Sequence, residues 1–96
     1  MTPAGRFTIA PDHPALPGHF PGRPVVPGVV LLDRVVELVA PGRRALGLPA
    51  VKFTQPVLPG EEVEVRCSRA ADRVSFSCVV AGTEVARGTV VFEEAA

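Results

Sequence analysis

Residues 29–40 read VVLLDRVVELVA, a run in which only Asp33, Arg34 and Glu37 are polar. It follows Gly28 and stops at Pro41-Gly42, a helix terminator, so it predicts one helix of about three turns. Valine, leucine and alanine cover this helix nearly all round. A helix that apolar is normally enclosed by other elements rather than lying on a surface. Its β-branched valines lower its intrinsic propensity, so the surrounding structure has to hold it. Beyond residue 45 the apolar period changes from helical spacing to two, the mark of strands. ALGLPAVKFTQPV (45–57) predicts an interrupted strand. EVEVRCSRA (62–70) alternates cleanly, with Val63, Val65 and Cys67 on one face and Glu64, Arg66 and Ser68 on the other. RVSFSCVVAG (73–82) and EVARGTVVFEE (84–94) continue the pattern, joined by turns at 70–72 and 81–83. Ahead of the helix, RFTIA (6–10) is a short candidate strand. These elements predict an α+β fold, one curved antiparallel sheet wrapped around one apolar helix.

The whole chain narrows the function classes. Ninety-six residues predict one domain over 1–96, small enough that pairing with a second chain would stabilise it. Ten basic and ten acidic residues balance, so no global field points to nucleic acid or an anionic membrane. No apolar run is long enough to span a bilayer, and MTPAGRFTIAPDH (1–13) lacks the pattern of a secretory signal, which predicts a cytoplasmic protein. Cys67 and Cys78 are too few for a metal site and fit inward-facing strand positions, where they act as small hydrophobes. No metal ligand set is predicted.

Between the first strand and the helix lies PDHPALPGHFPGRPVVPG (11–28), whose prolines exclude both helix and central strand. A loop of this length in a compact domain is usually functional. Gly28 bares the first backbone N–H groups of the helix, and the positive end of the helix dipole suits an oxyanion such as a polarised carbonyl. His19 on the loop has the near-neutral pKa of a general base. Asp33 falls on the same side of the helix as Val29 by i,i+4 geometry. Donors, base and carboxyl group are the parts needed to remove a proton beside a carbonyl and expel a β-substituent. Spacing alone leaves a plainer reading open: most loop histidines are solvated or structural, and most helix aspartates are edge residues.

The stretch GHFPGRPVVPGVVLLD (18–33) is similar to the signature of β-hydroxyacyl-acyl-carrier-protein dehydratases of the hotdog fold, roughly H-F-P-G-x-P-x-x-P-G followed by an acid. His19, Phe20, Pro21, Gly22, Pro24, Pro27, Gly28 and Asp33 fill its fixed positions. VKFTQPVLPGEEVEV (51–65) resembles the weaker second motif of that family through Phe53, Pro56, Val57, Pro59 and Gly60. Residues 12–33 look closest to a short branch, the ApeI-like dehydratases associated with aryl polyene assembly. The resemblance implies a hotdog dimer, homomeric or heteromeric, in which the histidine of one subunit faces the acid of the other. It implies that His19 takes the α-proton of a 3-hydroxyacyl thioester borne by acyl carrier protein and that Asp33 assists departure of water. Gly28 and Val29 would hold the thioester oxygen, and the product is a trans-2-enoyl thioester. No cofactor beyond the phosphopantetheine of the carrier is implied. Where relatives often continue Ala-x-x-Gln after the acid, this chain has Arg34-Val35-Val36-Glu37, so any role of that glutamine is absent.

Other residues carry weaker expectations. Phe20 and Phe53 are candidates to line an acyl pocket, with ordinary core packing as the plainer reading. Arg23, Arg43, Arg44 and Lys52 are candidates to meet an acidic carrier protein or a phosphopantetheine phosphate. His13 reads as a loop-bracing histidine. Two rival functions share the fold: an acyl thioesterase, and a non-catalytic subunit that binds acyl groups or carrier beside an active partner. The intact His19 segment counts against the first, and the presence of both His19 and the acid counts against the second. Acyl chain length, a following isomerisation, and carrier protein versus coenzyme A as the carrier are not decided by the sequence.

Overall fold

The computed structural model describes residues 1–14, 16 and 25–93. Five strands and one helix follow in the order β1 (Thr2–Thr8), α1 (Gly28–Val39), β2 (Ala45–Phe53), β3 (Glu62–Ala70), β4 (Arg73–Val80) and β5 (Thr83–Phe92). The strands form one antiparallel sheet in the spatial order β1-β3-β4-β5-β2. The meander β3–β4–β5 turns through two-residue loops. Ala81 and Gly82 both have positive φ, +49° and +82°, the combination whose twist matches that of a hairpin.

Alternation along the meander builds the core. Val63, Val65 and Cys67 of β3 stand beside Val74, Phe76 and Cys78 of β4, all buried. Opposite them α1 contributes Val30, Leu31, Val35 and Val39, the last two with no exposed surface. Each such fully buried side chain stabilises the fold by roughly 1.5–3 kcal/mol. Both cysteines are free thiols, as small inward-facing residues. Burial pushes the Cys78 thiol up to about 12, with the charge of Glu84 adding to the effect. Ser77, the single buried polar residue among the described residues, donates to Glu84 at 2.7 Å.

Three expectations need correction. The helix is not enclosed all round: Val29 is 67% exposed, and Asp33 and Glu37 are exposed too. The helix rests on β1, β3 and β4, and Phe53 at the end of β2 meets its first residue, while the flank bearing Val29, Asp33 and Glu37 stays exposed. The strand over 45–57 is interrupted in its pairing, as expected, but ends at Phe53 rather than running to residue 57. Its register with β5 shifts between Gly47 and Ala50, a bulge that accommodates Pro49 on an edge strand. The first strand spans Thr2–Thr8 rather than 6–10, because an edge position with a bulge between Pro3 and Gly5 tolerates the early proline.

Candidate active site

The stretch after β2 holds the start of the helix in place. Thr54 and Gln55 donate their N–H groups to the Val85 carbonyl at 2.9 and 3.3 Å, and the Thr54 hydroxyl donates to the Glu84 carbonyl at 3.0 Å. Val85 is the extra residue of a bulge, since Cys78 pairs with Ala86 while Val79 pairs with Glu84. Further on, the Val57 carbonyl accepts from the Val26 N–H at 2.8 Å, and Gly60, at φ +89°, donates to the Ile9 carbonyl at 2.9 Å. Residues 54–60 are thus tied to β5 and to the residue after β1, and they anchor Val26, two residues before the helix.

The helix begins at Pro27 without a side-chain cap and with no acidic residue in its first turn, so its positive end is not neutralised locally. Val30 and Leu31 both donate to the Pro27 carbonyl, at 3.0 and 3.2 Å. The N–H groups of Gly28 and Val29 meet no acceptor among the described residues. A pocket of about 270 Å³ opens here, lined by Val25, Val26, Gly28, Leu31, Phe53 and Val57 among others. The Phe53 ring lies against Gly28: a Cβ on that residue would stand 2.9 Å from the Phe53 Cζ. At the far end of the helix, the Arg69 guanidinium donates to the Val39 carbonyl and complements the negative end of the dipole.

Asp33 lies on the open face, in a groove of about 520 Å³ that it and Glu37 share with Val29, Leu32, Val36, Ala45 and Leu48. The structure therefore puts the Gly28 and Val29 donors and the Asp33 carboxyl group on one helix, little more than a turn apart. His19, Phe20 and Arg23 lie outside the described residues. The three carrier candidates among the described residues, Lys52, Arg43 and Arg44, do not form one cluster. Lys52 is exposed on β2, one residue from Phe53. Arg43 and Arg44 follow the C-terminus of α1, about 18 Å along the helix from Gly28 at 1.5 Å per residue. Arg43 is also engaged structurally, donating to the Glu93 carbonyl at 2.9 Å and standing 5.4 Å over the Phe92 ring. His13 sits in a turn, with its N–H on the Ala10 carbonyl and its own carbonyl accepting from Leu16. Among the described residues no group of three or more His, Cys, Asp or Glu could hold a metal ion.

Two features of the site escape a reading of the sequence. Val25, Val26, Leu31 and Val57 look like ordinary core residues, yet they line the pocket; the pairing of the two Pro-rich motifs was the available signal. The exposed edge β2 also escapes it, with Leu46 59% and Leu48 38% exposed beside the Asp33 groove.

One helix laid on a five-stranded antiparallel sheet, with a bare helix N-terminus beside an apolar pocket, is the hotdog fold of acyl-thioester dehydratases. The profile of the ApeI-like family, described as ApeI dehydratase, matches residues 2–89, and the chain belongs to that family. Among solved structures, the dehydratase heterocomplex ApeI:P from Xenorhabdus doucetiae is similar, with a TM-score of 0.77 and 25% identity over 91% of this chain and 82% of that one. An uncharacterised protein from Erwinia carotovora has a TM-score of 0.74 and 28% identity, covering 93% and 80%. The protein named 3-hydroxyacyl-[acyl-carrier-protein] dehydratase FabZ from Myxococcus xanthus is 32% identical, covering 80% of this chain and 62% of that one. Its namesake from Desulforamulus reducens is 33% identical, covering 85% and 68%. The match therefore spans less than two thirds of the Myxococcus relative. No helix among the described residues is long and apolar enough to cross a membrane.

Proposed function

We propose that residues 1–96 act as one hotdog domain that dehydrates 3-hydroxyacyl thioesters on acyl carrier protein to trans-2-enoyl thioesters, for fatty-acid or polyene-type synthesis. The observation that carries this reading is the uncapped helix N-terminus opening on an apolar pocket, with Asp33 exposed on the same helix. The Gly28 and Val29 N–H groups hold the thioester oxygen, which stabilises the enolate-like charge that develops when the α-proton leaves. His19 takes that proton from C2. The C2–H electron pair becomes the C2=C3 bond, the C3–O bond breaks, and the hydroxyl leaves as water with a proton from the Asp33 carboxyl group. The thioester carbonyl itself acidifies the α-proton, so the reaction needs no cofactor.

A second hotdog chain is part of the proposal. The groove around Asp33 and the bare edge of β2 expose valine and leucine on one continuous face. Exposed apolar patches of this kind mark interfaces. Covering that face removes water from the groove and brings His19 of one subunit towards Asp33 of the other. Whether the second chain is identical is the point on which a second reading rests. The similar Xenorhabdus structure is named as a dehydratase heterocomplex, which favours a different hotdog chain as the partner.

Incubation with a 3-hydroxyacyl carrier-protein thioester tests the reading. Enoyl formation, followed by its ultraviolet absorbance, is expected, and His19→Ala and Asp33→Asn each lower the rate about 10²-fold or more. Release of free thiol identifies a thioesterase instead. Turnover only after adding a second hotdog protein identifies a heteromeric enzyme. A His19→Ala protein that dehydrates as fast as wild type refutes the mechanism.

A further inference from the structure

Among the described residues, Phe53 is the large aromatic that the core does not use. Phe7, Phe76 and Phe92 are buried, whereas Phe53 is 49% exposed at the end of the edge strand β2, paired with Ala86. Its ring nevertheless has a defined seat. A Cβ on Gly28 would stand 2.9, 3.2 and 3.5 Å from Cζ, Cε2 and Cε1 of that ring. Gly28 is the first residue of α1 and not left-handed, so its backbone would accept any L-residue. The demand for glycine there is one of space, and the group that needs the space is the Phe53 ring.

The same ring faces the pocket of about 270 Å³ beside the helix N-terminus. That volume lies just under the range of about 300–1,000 Å³ usual for small-molecule sites. Val25, Val26, Leu31 and Val57 give it an apolar lining. A thioester whose oxygen rests on the Gly28 and Val29 donors has the ring seated on Gly28 directly beside it where its chain enters this pocket. We infer that Phe53 is a specificity-determining residue, its ring on Gly28 forming the wall that limits the length of the acyl chain in this pocket. The inference rests on the dehydratase reading for its substrate class.

The wall can be moved without entering the core. Phe53→Ala enlarges the pocket on the Gly28 side, and Phe53→Trp narrows it. The assay measures kcat/KM for 3-hydroxyacyl pantetheine thioesters from butyryl to decanoyl, using the full chain. Phe53→Ala raises the decanoyl-to-butyryl ratio about tenfold or more, and Phe53→Trp lowers it by a similar factor, the scale at which a hydrophobic pocket discriminates methylenes. A structural role would move both variants the same way. If Phe53→Ala does not fold, Phe53→Leu shifts the ratio in the same direction by less.

Calorimetric binding of the saturated acyl-pantetheine series reads the same preference without turnover. A wild-type protein that binds the series but dehydrates none of it refutes the dehydratase reading, and the wall is then judged on the binding ratios alone. A single length ranking shared by wild type, Phe53→Ala and Phe53→Trp overturns the inference, as does failure of the wild type to bind or turn over any member.

Discussion

Replacing Gly88 with alanine sets a local gain against a steric loss, and the structure decides the sign. Gly88 lies on β5 between Phe76 of β4 and Val51 of β2. Its φ is not left-handed, so the backbone tolerates alanine, and the substitution alone would gain about 0.7 kcal/mol by restricting the unfolded chain. Space opposes it. The new Cβ runs into the Ala50 carbonyl oxygen and stands 3.0 and 3.1 Å from Cζ and Cε1 of Phe76. Phe76 is 1% exposed and cannot swing aside, and the carbonyl is backbone, so β2 itself has to shift. Overpacking against such neighbours costs about 3 kcal/mol, the upper end of its usual range. The net loss is about 2 kcal/mol. With a urea slope of about 1 kcal/mol/M for so small a domain, the midpoint falls by about 2 M at fixed protein concentration. Gly47→Ala, on β2 with nothing within 4 Å, is the control and leaves the midpoint equal or higher. In Gly28→Ala the new Cβ meets the far end of the half-exposed Phe53 ring, which can move; stability stays within about 1 kcal/mol of wild type while the acyl-length ranking changes. If Gly88→Ala melts at or above wild type, the close approach of β2 to β5 is not as described.

Three further outcomes follow from particular residues. Ala81, at φ +49° before Gly82, pays the left-handed penalty in a turn that favours asparagine; Ala81→Asn raises stability by about 1 kcal/mol, or about 4–8 °C in a thermal melt, and an unchanged melting temperature contradicts the strain. Leu48 is exposed in the single chain but borders the Asp33 groove, so Leu48→Glu leaves the folded chain intact, lowers its mass in gel filtration and abolishes dehydration; an unchanged mass rules out this face as the interface. The Cys78 thiol, raised to about 12, resists alkylation in the native protein. The unfolded chain loses that proton first, so stability is complete below the ordinary thiol value of about 8.5 and declines as pH climbs from there towards the raised one. Urea midpoints across that window, compared with Cys78→Ala, read the decline, and a flat profile in both proteins refutes the assignment.

The helix-borne part of the candidate site was legible because its parts are local. Pro27 and Gly28 announce an uncapped helix start, and Asp33 follows on the same helix at a spacing that any α-helix fixes. The pocket beside them was not legible, because Val57 reaches Val26 only through a backbone bond between segments about thirty residues apart. The same limit applies to Arg43. Its charge suggests a surface contact, whereas the chain folds it onto Glu93 and Phe92 at the other end of the sequence. Lys52 and Arg43 share a charge but sit at opposite ends of the helix axis, a separation that charge counting does not contain.

By itself the sequence determined the elements and the motif. Alternation at period two placed β3 at Glu62–Ala70, the apolar run placed α1, and the two proline-rich motifs pointed to the family. Those are near-neighbour properties, set by where successive side chains point along a strand or helix. Tertiary structure alone decided which side of the apolar helix stays bare. The strand order β1-β3-β4-β5-β2 leaves β2 at an edge and one flank of α1 uncovered, so a helix apolar all round ends with Val29 and Asp33 facing outward. Only there does the need for glycine at position 28 become a matter of the Phe53 ring rather than of backbone conformation, since a contact between the start of the helix and the end of β2 exists only once the sheet has closed beside it.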